Sequence, residues 1–270
     1  MRVLVSVDIE GIAGVSRPDQ TSASGENYGT ARRLMTEEAN AAVRGAFAGG
    51  ASEVLVADAH GTFGNLLPDL LDERAWLVHG KPRPFGMLEG IQERPDAVML
   101  VGYHAMAGER GVLAHTVRGT AFHRVWLQDR PAGEAALYGL LAGEFGAPVV
   151  LATGDDAFAE ETRAWLPRTR FAVVKKAAAN RAAISLSPAR VRALVESEAK
   201  AALEAAGEVP PLLSDLPIRC RVEAKTLVLA DLFALLPAAR RLAPLVVEFT
   251  GTPTEVVQVI NLWSAAAASV

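Results

Sequence analysis

The sequence predicts an α/β fold, with a mostly parallel sheet flanked by helices and a smaller C-terminal α+β unit. Three short runs rich in β-branched residues, at positions 3–7, 54–57 and 97–101, have the length and composition of buried parallel strands. A helix-length segment at 28–48 lies between the first two runs and ends at a glycine pair. A strand, a helix and a second strand in this order are typical of a βαβ unit.

Further strand and helix segments continue the pattern along the chain. Their predicted order is a strand at 76–78, a strand at 124–127, a helix at 134–145 and a strand at 148–152. Ser187 and Pro188 predict the beginning of the next helix, which extends to about residue 206, because serine favours the N-cap and proline the first helical position.

A change of composition predicts how the chain is divided. Residues 207–217 are rich in proline and leucine and are interpreted as a linker. Residues 1–206 then form the metal-binding catalytic domain, and residues 218–270 the smaller unit. The smaller unit is predicted to contain a strand at 219–224, a helix at 226–236, a strand at 245–249 and a helix at 254–267.

Composition and charge exclude several classes of function. The chain has 27 basic and 31 acidic side chains, and no basic cluster alternates with aromatic residues, so no nucleic-acid partner is expected. No segment approaches the roughly 20 uncharged apolar residues that span a bilayer, so no membrane role is expected. The first apolar run is interrupted by Asp8, which argues against a signal peptide and predicts a cytoplasmic protein. The single cysteine, Cys220, is interpreted as a small buried apolar residue.

Acidic and histidine side chains follow the predicted parallel strands. Asp8 and Glu10 come after the first strand, His60 after the second and His104 after the third, while Glu134 begins a predicted helix. Ligands of open α/β sheets bind beyond the carboxyl ends of the strands, so these side chains are expected to meet in one crevice. A mixture of histidine and carboxylate suits zinc, with manganese or cobalt as alternatives.

The spacing within the first motif predicts a shared ligand. Residues two apart in an extended chain point to the same face, so Asp8 and Glu10 are expected to converge. A carboxylate has two oxygens and can bridge two cations roughly 3.5 to 4 Å apart, and Asp8 is the candidate bridge. Taken singly, each residue is better explained by turn capping or by a hydrogen bond in the core, and only their joint placement indicates a metal.

The motifs that contain these residues resemble those of the DppA-like zinc D-aminopeptidases, in the same order along residues 1–206. In this chain they read SVDIEG at 6–11, MTEEAN at 35–40, GYHA at 102–105, DRPAGE at 129–134 and ATGDD at 152–156, with a D-x-H segment at 58–60. The resemblance implies two zinc ions bridged by Asp8. It assigns Glu10 and Glu134 to one ion and His60 and His104 to the other.

The resemblance also implies that His115 is the catalytic nucleophile or general base. Independently, His115 lies eleven positions beyond His104 across a glycine-bounded loop, so it can fold back over the crevice without being a ligand. A free imidazole near bound cations is suited to accept a proton at neutral pH.

Several other residues are given no metal-binding role. His79 and His123 lack matching carboxylates, and Asp155 with Asp156 is predicted to cap a helix at 157–166. Lys175 and Arg181 match basic positions of the family, and a solvated surface explains them equally well. Gly11 and Gly14 lack the third glycine of a dinucleotide-binding motif, and adjacent carboxylates would repel a pyrophosphate.

The residues leave three functions open. The resemblance implies an aminopeptidase that removes D-residues, such as D-Ala, from short peptides, and a homo-oligomer, a decameric ring in that family. A dimetal phosphoesterase uses similar ligands, although no arginine follows a predicted strand end. A non-catalytic metal-binding module is the third alternative.

Overall fold

The structure is a computed structural model that describes residues 1–270. Its strands are β1 (Arg2–Val7), β2 (Glu53–Asp58), β3 (Ala75–Val78), β4 (Ala97–Val101), β5 (Phe122–Leu127), β6 (Arg130–Pro131), β7 (Val149–Asp155), β8 (Arg170–Ala179), β9 (Ala182–Ser185), β10 (Ile218–Ala224), β11 (Arg240–Arg241) and β12 (Val246–Gly251). Its α-helices are α1 (Tyr28–Ala48), α2 (Glu134–Glu144), α3 (Asp156–Arg163), α4 (Pro188–Glu204), α5 (Leu227–Phe233) and α6 (Pro253–Ala266).

A seven-stranded sheet organises the first part of the chain. Its strand order is β3-β2-β1-β4-β7-β8-β9, and every neighbouring pair is parallel except the hairpin of β8 and β9. The α/β class with a mostly parallel sheet is therefore confirmed. The three central strands are almost fully buried, as their continuous apolar sequences predict.

The buried residues of the central strands alternate between two hydrophobic cores. Val3 and Val5 face the core formed with α1 and α4, whereas Leu4 and Leu55 face the core that includes α2 and α6. Helices thus cover both faces of the sheet, and residues that follow β1 and β2 share one cavity with residues of α2 and α6. The helix α1 begins and ends at the predicted residues.

A second, antiparallel sheet has the order β11-β12-β10-β5-β6. Because β10 pairs with β5, this sheet takes strands from both sides of the segment interpreted as a linker. The domain division at 207–217 stays a prediction. The helix predicted at 226–236 is shorter than expected, since α5 ends at Phe233. Cys220 is buried in this sheet, as predicted.

None of the helices combines the length and the apolar composition that crossing a bilayer requires.

Candidate metal centre

Five side chains converge at the carboxyl end of the parallel sheet, and we call them the ligand cluster. Asp8 and Glu10 follow β1, His60 follows β2, His104 follows β4, and Glu134 is the first residue of α2. Four of the five side chains are almost completely buried, and that of His60 keeps 16% of its surface exposed. The predicted meeting of these residues in one crevice is observed.

Two glycines allow the strand ends to approach each other. A Cβ atom on Gly11 would collide with the backbone oxygen of Tyr103, and one on Gly102 with the backbone oxygen of Asp8. Gly102 also has a φ of 70°, in the left-handed region that glycine tolerates best. The loops after β1 and β4 therefore pack backbone against backbone, which brings Asp8 beside His104.

Asp8 lies at the centre of the ligand cluster and faces both histidines. Its Oδ1 lies 3.2 Å from His60 Nδ1, and its Oδ2 lies 3.4 Å from His104 Nε2. The first of these nitrogens also lies 2.9 Å from Glu10 Oε2, and the second lies 3.4 Å from Glu134 Oε1. The two oxygens of Asp8 thus point toward two different sets of donors.

These contacts group the cluster differently from the division that the resemblance implies. Glu10 shares its side of Asp8 with His60, and Glu134 shares the other side with His104. One ligand atom of Asp8, one of Glu10 and one of His104 also lie within 4.8 Å of one another. The Glu10 side and the His104 side of Asp8 are therefore contiguous. The geometry favours one carboxylate and one histidine on each side.

The convergence of Asp8 and Glu10 has a different cause from the one predicted. The strand ends at Val7, and the chain turns at once, with Gly11 N donating to Gly102 O at 2.7 Å and Ile12 N to Ile9 O at 3.3 Å. The turn, rather than the alternation of an extended strand, directs both carboxylates toward His60.

Buried polar atoms without partners test whether a cation fits. His104 Nε2 is buried and forms no hydrogen bond, and Glu10 Oε2 is buried with only the ring nitrogen of His60 beside it. Burying polar atoms without a partner is costly, and burying several carboxylates together is more so. Three carboxylates and two imidazoles that point at common positions form the donor set that zinc prefers, so the residues fit a metal.

Burial and the contacts between carboxylates and histidines also shift the pKa values of the cluster. Burial opposes protonation of both histidines, but the charge of Glu10 raises the pKa of His60 and the charge of Glu134 raises that of His104, both well above the ordinary value. Burial alone would raise the pKa of Asp8, yet its contacts with His104 and His60 hold that pKa well below the usual range. The carboxylates thus make the cluster an anionic pocket, in which a positive charge is stabilised.

Outer contacts orient the side chains of the cluster. His60 Nε2 lies 2.8 Å from the carbonyl oxygen of Thr21, and His104 Nδ1 lies 3.0 Å from that of Ala105, so the opposite ring nitrogen of each faces the cluster. The N–H of Val117 donates to Glu134 Oε1 at 2.6 Å. Val117 has a φ of 56°, which a β-branched residue rarely adopts, and this strained turn aims its N–H at the carboxylate.

Asp58, within the D-x-H segment, is a structural residue. Its carboxylate accepts hydrogen bonds from Asn65 N, Asn65 Nδ2 and Leu66 N, at 2.5, 2.7 and 2.7 Å. These bonds hold the loop that follows His60.

His115 folds back over the cluster, as its spacing predicted. Its ring stacks on that of His104, with centroids 4.1 Å apart and planes 10° from parallel. Its Nδ1 lies 2.9 Å from the carbonyl oxygen of Leu113, so Nδ1 donates to that oxygen and Nε2 is the ring nitrogen left for other contacts. One donor atom from each of His104, His115 and Glu134 lies within 4.8 Å of the other two. The position of His115 therefore permits either metal contact or proton transfer.

Two buried charged residues near the cluster had no predicted role. Lys175 donates from Nζ to the carbonyl oxygens of Glu10, Ile12 and Val15, which fixes the loop after β1. Burial lowers its pKa to about 8. The interpretation of Lys175 as a solvated surface residue is therefore wrong, because the loop after β1 covers β8 at this position. Arg181, in contrast, is exposed.

Glu38, in the MTEEAN motif of α1, supports the same loop. It accepts a hydrogen bond from Ala13 N at 2.8 Å, and burial raises its pKa to about 8, so it is protonated at neutral pH. The available sequence signal was a charged residue between Met35 and Ala39 on the buried face of the helix.

The remaining predictions agree with the structure in part, because the helix predicted at 157–166 is α3, which begins at Asp156 and ends at Arg163. His79 and His123 are exposed and lie outside the cluster. Asp155 caps α3, since it accepts a hydrogen bond from Phe158 N at 2.8 Å, and it also accepts one from Val112 N in the His115 loop.

A cavity of about 680 Å³ opens directly above the ligand cluster. Asp8, His60, His115 and Glu134 form part of its lining, and further lining residues come from the 81–87 loop and from α6. The cavity also contains Lys81, Arg83 and Arg118, which no sequence motif had connected with the site.

Known proteins match this chain over most of its length. A family model described as D-aminopeptidase matches residues 1–262. A D-aminopeptidase of Bacillus subtilis (strain 168) is 37% identical over 214 residues, which cover 78% of this chain and 77% of that protein.

The fold is similar to a solved structure over its whole length. The Zn-dependent D-aminopeptidase DppA from Bacillus subtilis, described as a self-compartmentalizing protease, superposes with a TM-score of 0.96 at 31% sequence identity, over 100% of this chain and 99% of that one. The resemblance of the motifs is therefore confirmed, and the chain belongs to the D-aminopeptidase family of hydrolases.

Proposed function

We propose that the protein is a binuclear zinc aminopeptidase that hydrolyses the N-terminal amide bond of short peptides beginning with a D-residue such as D-Ala. The observation that carries the proposal is the placement of Asp8, whose two carboxylate oxygens face separate donor sets. One set is Glu10 and His60, and the other is His104 and Glu134. A bridging carboxylate between two such sets is the usual arrangement of two-metal hydrolases.

The metal ligands and His115 have different roles in this proposal. Bound zinc would polarise the scissile carbonyl and lower the pKa of water, to about 7 in well-known zinc sites. His115 accepts a proton at Nε2, because Leu113 O holds its Nδ1–H. Its stacking on His104 limits how the ring can turn, so the lone pair keeps a fixed direction over the cavity.

The identity of the metal and the chirality of the substrate are tested together. The purified protein is reconstituted with zinc, manganese or cobalt, its metal content is measured, and hydrolysis is followed on paired D- and L-aminoacyl amides. We expect about two ions per chain and cleavage of the D-series. Absence of bound metal and of activity with every metal would contradict the proposal.

A dimetal phosphoesterase is the second candidate, and the three cationic residues in the cavity are the observation that favours it. Family membership favours peptide hydrolysis. Phosphoester substrates assayed in parallel with D-alanyl peptides separate the two.

We also propose that the protein forms a homo-oligomer, and the resemblance implies a decameric ring. We further propose that it is located in the cytoplasm. The similar protein from Bacillus subtilis is described as self-compartmentalizing. Light scattering on the purified protein measures the number of subunits, and a monomer at working concentration would contradict this assignment.

A further inference from the structure

Three cationic side chains line the same cavity as Asp8 and Glu134, and we call them the cationic rim: Lys81, Arg83 and Arg118. Lys81 and Arg83 lie on the loop after β3, and Arg118 lies in the turn that follows His115. None of the three belongs to any ion pair in the protein. No carboxylate thus lies within ion-pair distance of any of the three charges.

Arg83 is held rigidly and still has a free donor. Its Nε donates to Gly80 O at 2.6 Å and its Nη1 donates to Asp58 O at 2.8 Å. Its guanidinium lies 4.3 Å from the centre of the Phe63 ring. Its Nη2 is buried without a hydrogen-bond partner. A fixed, desolvated donor without a partner is typical of a ligand-binding position.

The other two cations, Lys81 and Arg118, contact Phe63 and α6 respectively. Lys81 Nζ lies 4.8 Å from the centre of the Phe63 ring, on the same aromatic side chain as Arg83. Arg118 Nε donates to Ser264 Oγ of α6 at 3.3 Å. Burial, followed by the charges of Arg118 and Arg83, lowers the pKa of Lys81, so the ammonium group lies near both guanidinium groups.

We propose that the cationic rim binds the free C-terminal carboxylate of the peptide whose N-terminal amide lies at the ligand cluster. The proposal rests on the aminopeptidase function proposed above and specifies its substrate class as short unblocked peptides. Guanidinium and ammonium groups form strong charge-assisted hydrogen bonds with carboxylates. Because the ligand cluster and the rim line one cavity, only a peptide of matching length reaches both, so the rim selects for length.

The test compares peptide acids with their amides. D-Ala-(Gly)n peptides with n from 1 to 4 are prepared with a free carboxylate and with a C-terminal amide, and KM and kcat are measured for each. We expect that at one or two lengths the acid has a KM about 10- to 100-fold below that of the amide. The difference should vanish for longer peptides, and kcat should change little.

Two variants and one control connect the effect to the rim. Arg118→Gln and Lys81→Gln should each remove much of the advantage of the acid while KM for the amide stays within about 2-fold. Arg190→Gln, an exposed arginine of α4, should leave both KM values unchanged. Arg83 is kept, because it also holds the loop backbone, and thermal unfolding verifies that the variants fold.

Direct binding separates this proposal from the proposed function. Calorimetry of peptide acids and amides is performed on the metal-loaded protein, with inorganic phosphate as a further ligand. Equal KM and equal affinity for acids and amides at every length would overturn the rim proposal while leaving the aminopeptidase intact. If no peptide is hydrolysed but acids bind more tightly in an Arg118-dependent manner, the rim stands and the proposed function fails. Phosphate binding tighter than every peptide acid would assign the rim to a phosphate group and overturn the proposal.

Discussion

The ligand cluster and the cationic rim line the same cavity, but the chain builds them in different ways. Each member of the cluster lies within three residues of the end of a parallel strand or begins a helix, and its side chain is mostly buried. The rim comes from irregular segments, and its contacts reach Phe63, Gly80 and Ser264. Regular elements thus fix the groups of the proposed chemistry, whereas loops and α6 fix the groups that we propose for substrate selection.

The largest expected effect is in the cluster. Asp8→Ala removes the only side chain that faces both donor sets, so most of the metal should be lost and turnover should fall by more than about 10⁴-fold. Metal analysis and kinetics on the same sample measure this, with Asp69→Ala, an exposed aspartate, as control. An Asp8→Ala protein that keeps both ions and full activity would show that the bridge is elsewhere.

The effects of replacing His115 and His104 should distinguish the proposed proton acceptor from the proposed metal ligands. His115→Ala should keep the fold and the metal and lose roughly 10² to 10⁴ in turnover, the range typical of general acid-base groups. His104→Ala should lose metal and activity together, and excess zinc should restore part of the rate. Added imidazole should rescue His115→Ala alone. Loss of metal from His115→Ala would instead make it a ligand, as its distance to Glu134 permits.

Lys175 tests how far the cluster depends on its support. Lys175→Met leaves three carbonyl oxygens of the 10–15 loop without their donor, so the free energy of unfolding should fall by roughly 1–3 kcal/mol. Metal affinity should fall about 10- to 100-fold, as is usual for residues that orient ligands. The matched control is Lys176→Met, because Lys176 follows Lys175 on β8 and is exposed. Equal effects of the two changes would remove the supporting role.

Glu38 predicts a pH dependence of stability. Its pKa is about 8 in the folded protein and 4.5 ordinarily, so between these values the unfolded chain has released a proton that the folded chain retains. Stability should therefore fall as pH rises through this window, by on the order of a few kcal/mol in total. Glu38→Gln should flatten the curve and Glu37→Gln should not. Denaturant unfolding from pH 4.5 to 8.5 measures this, and parallel curves for the wild type and Glu38→Gln would contradict it.

The smallest expected effect is at the rim. Ser264→Ala removes one hydrogen bond to Arg118, so KM for peptide acids should rise about 2- to 5-fold. Metal content and kcat should not change, in contrast to every cluster variant. A loss of metal in Ser264→Ala would mean that the cluster and the rim are not independent.

The two regions also differed in how far the sequence predicted them. The strands and the ligand cluster were predictable, because apolar runs mark buried strands and their polar ends are few. The division of the cluster into two sides was not, since it depends on the turn at Gly11 and on the contacts of His60 Nδ1. Lys175 resembled a surface residue for the same reason: sequence position alone does not show which loop covers a strand.

The sequence by itself determined the α/β class, the order of the central elements and the residue types at the strand ends, because local periodicity and chain connectivity restrict these strongly. Only the tertiary structure decided that α6 and the loop after β3 close over the ligand cluster and that three cations share this cavity. Residues such as Arg118 and Ser264 are 146 positions apart, and no local pattern records their contact. Their proximity results from the packing of the second sheet and α6 onto the face of the first sheet that also carries α2.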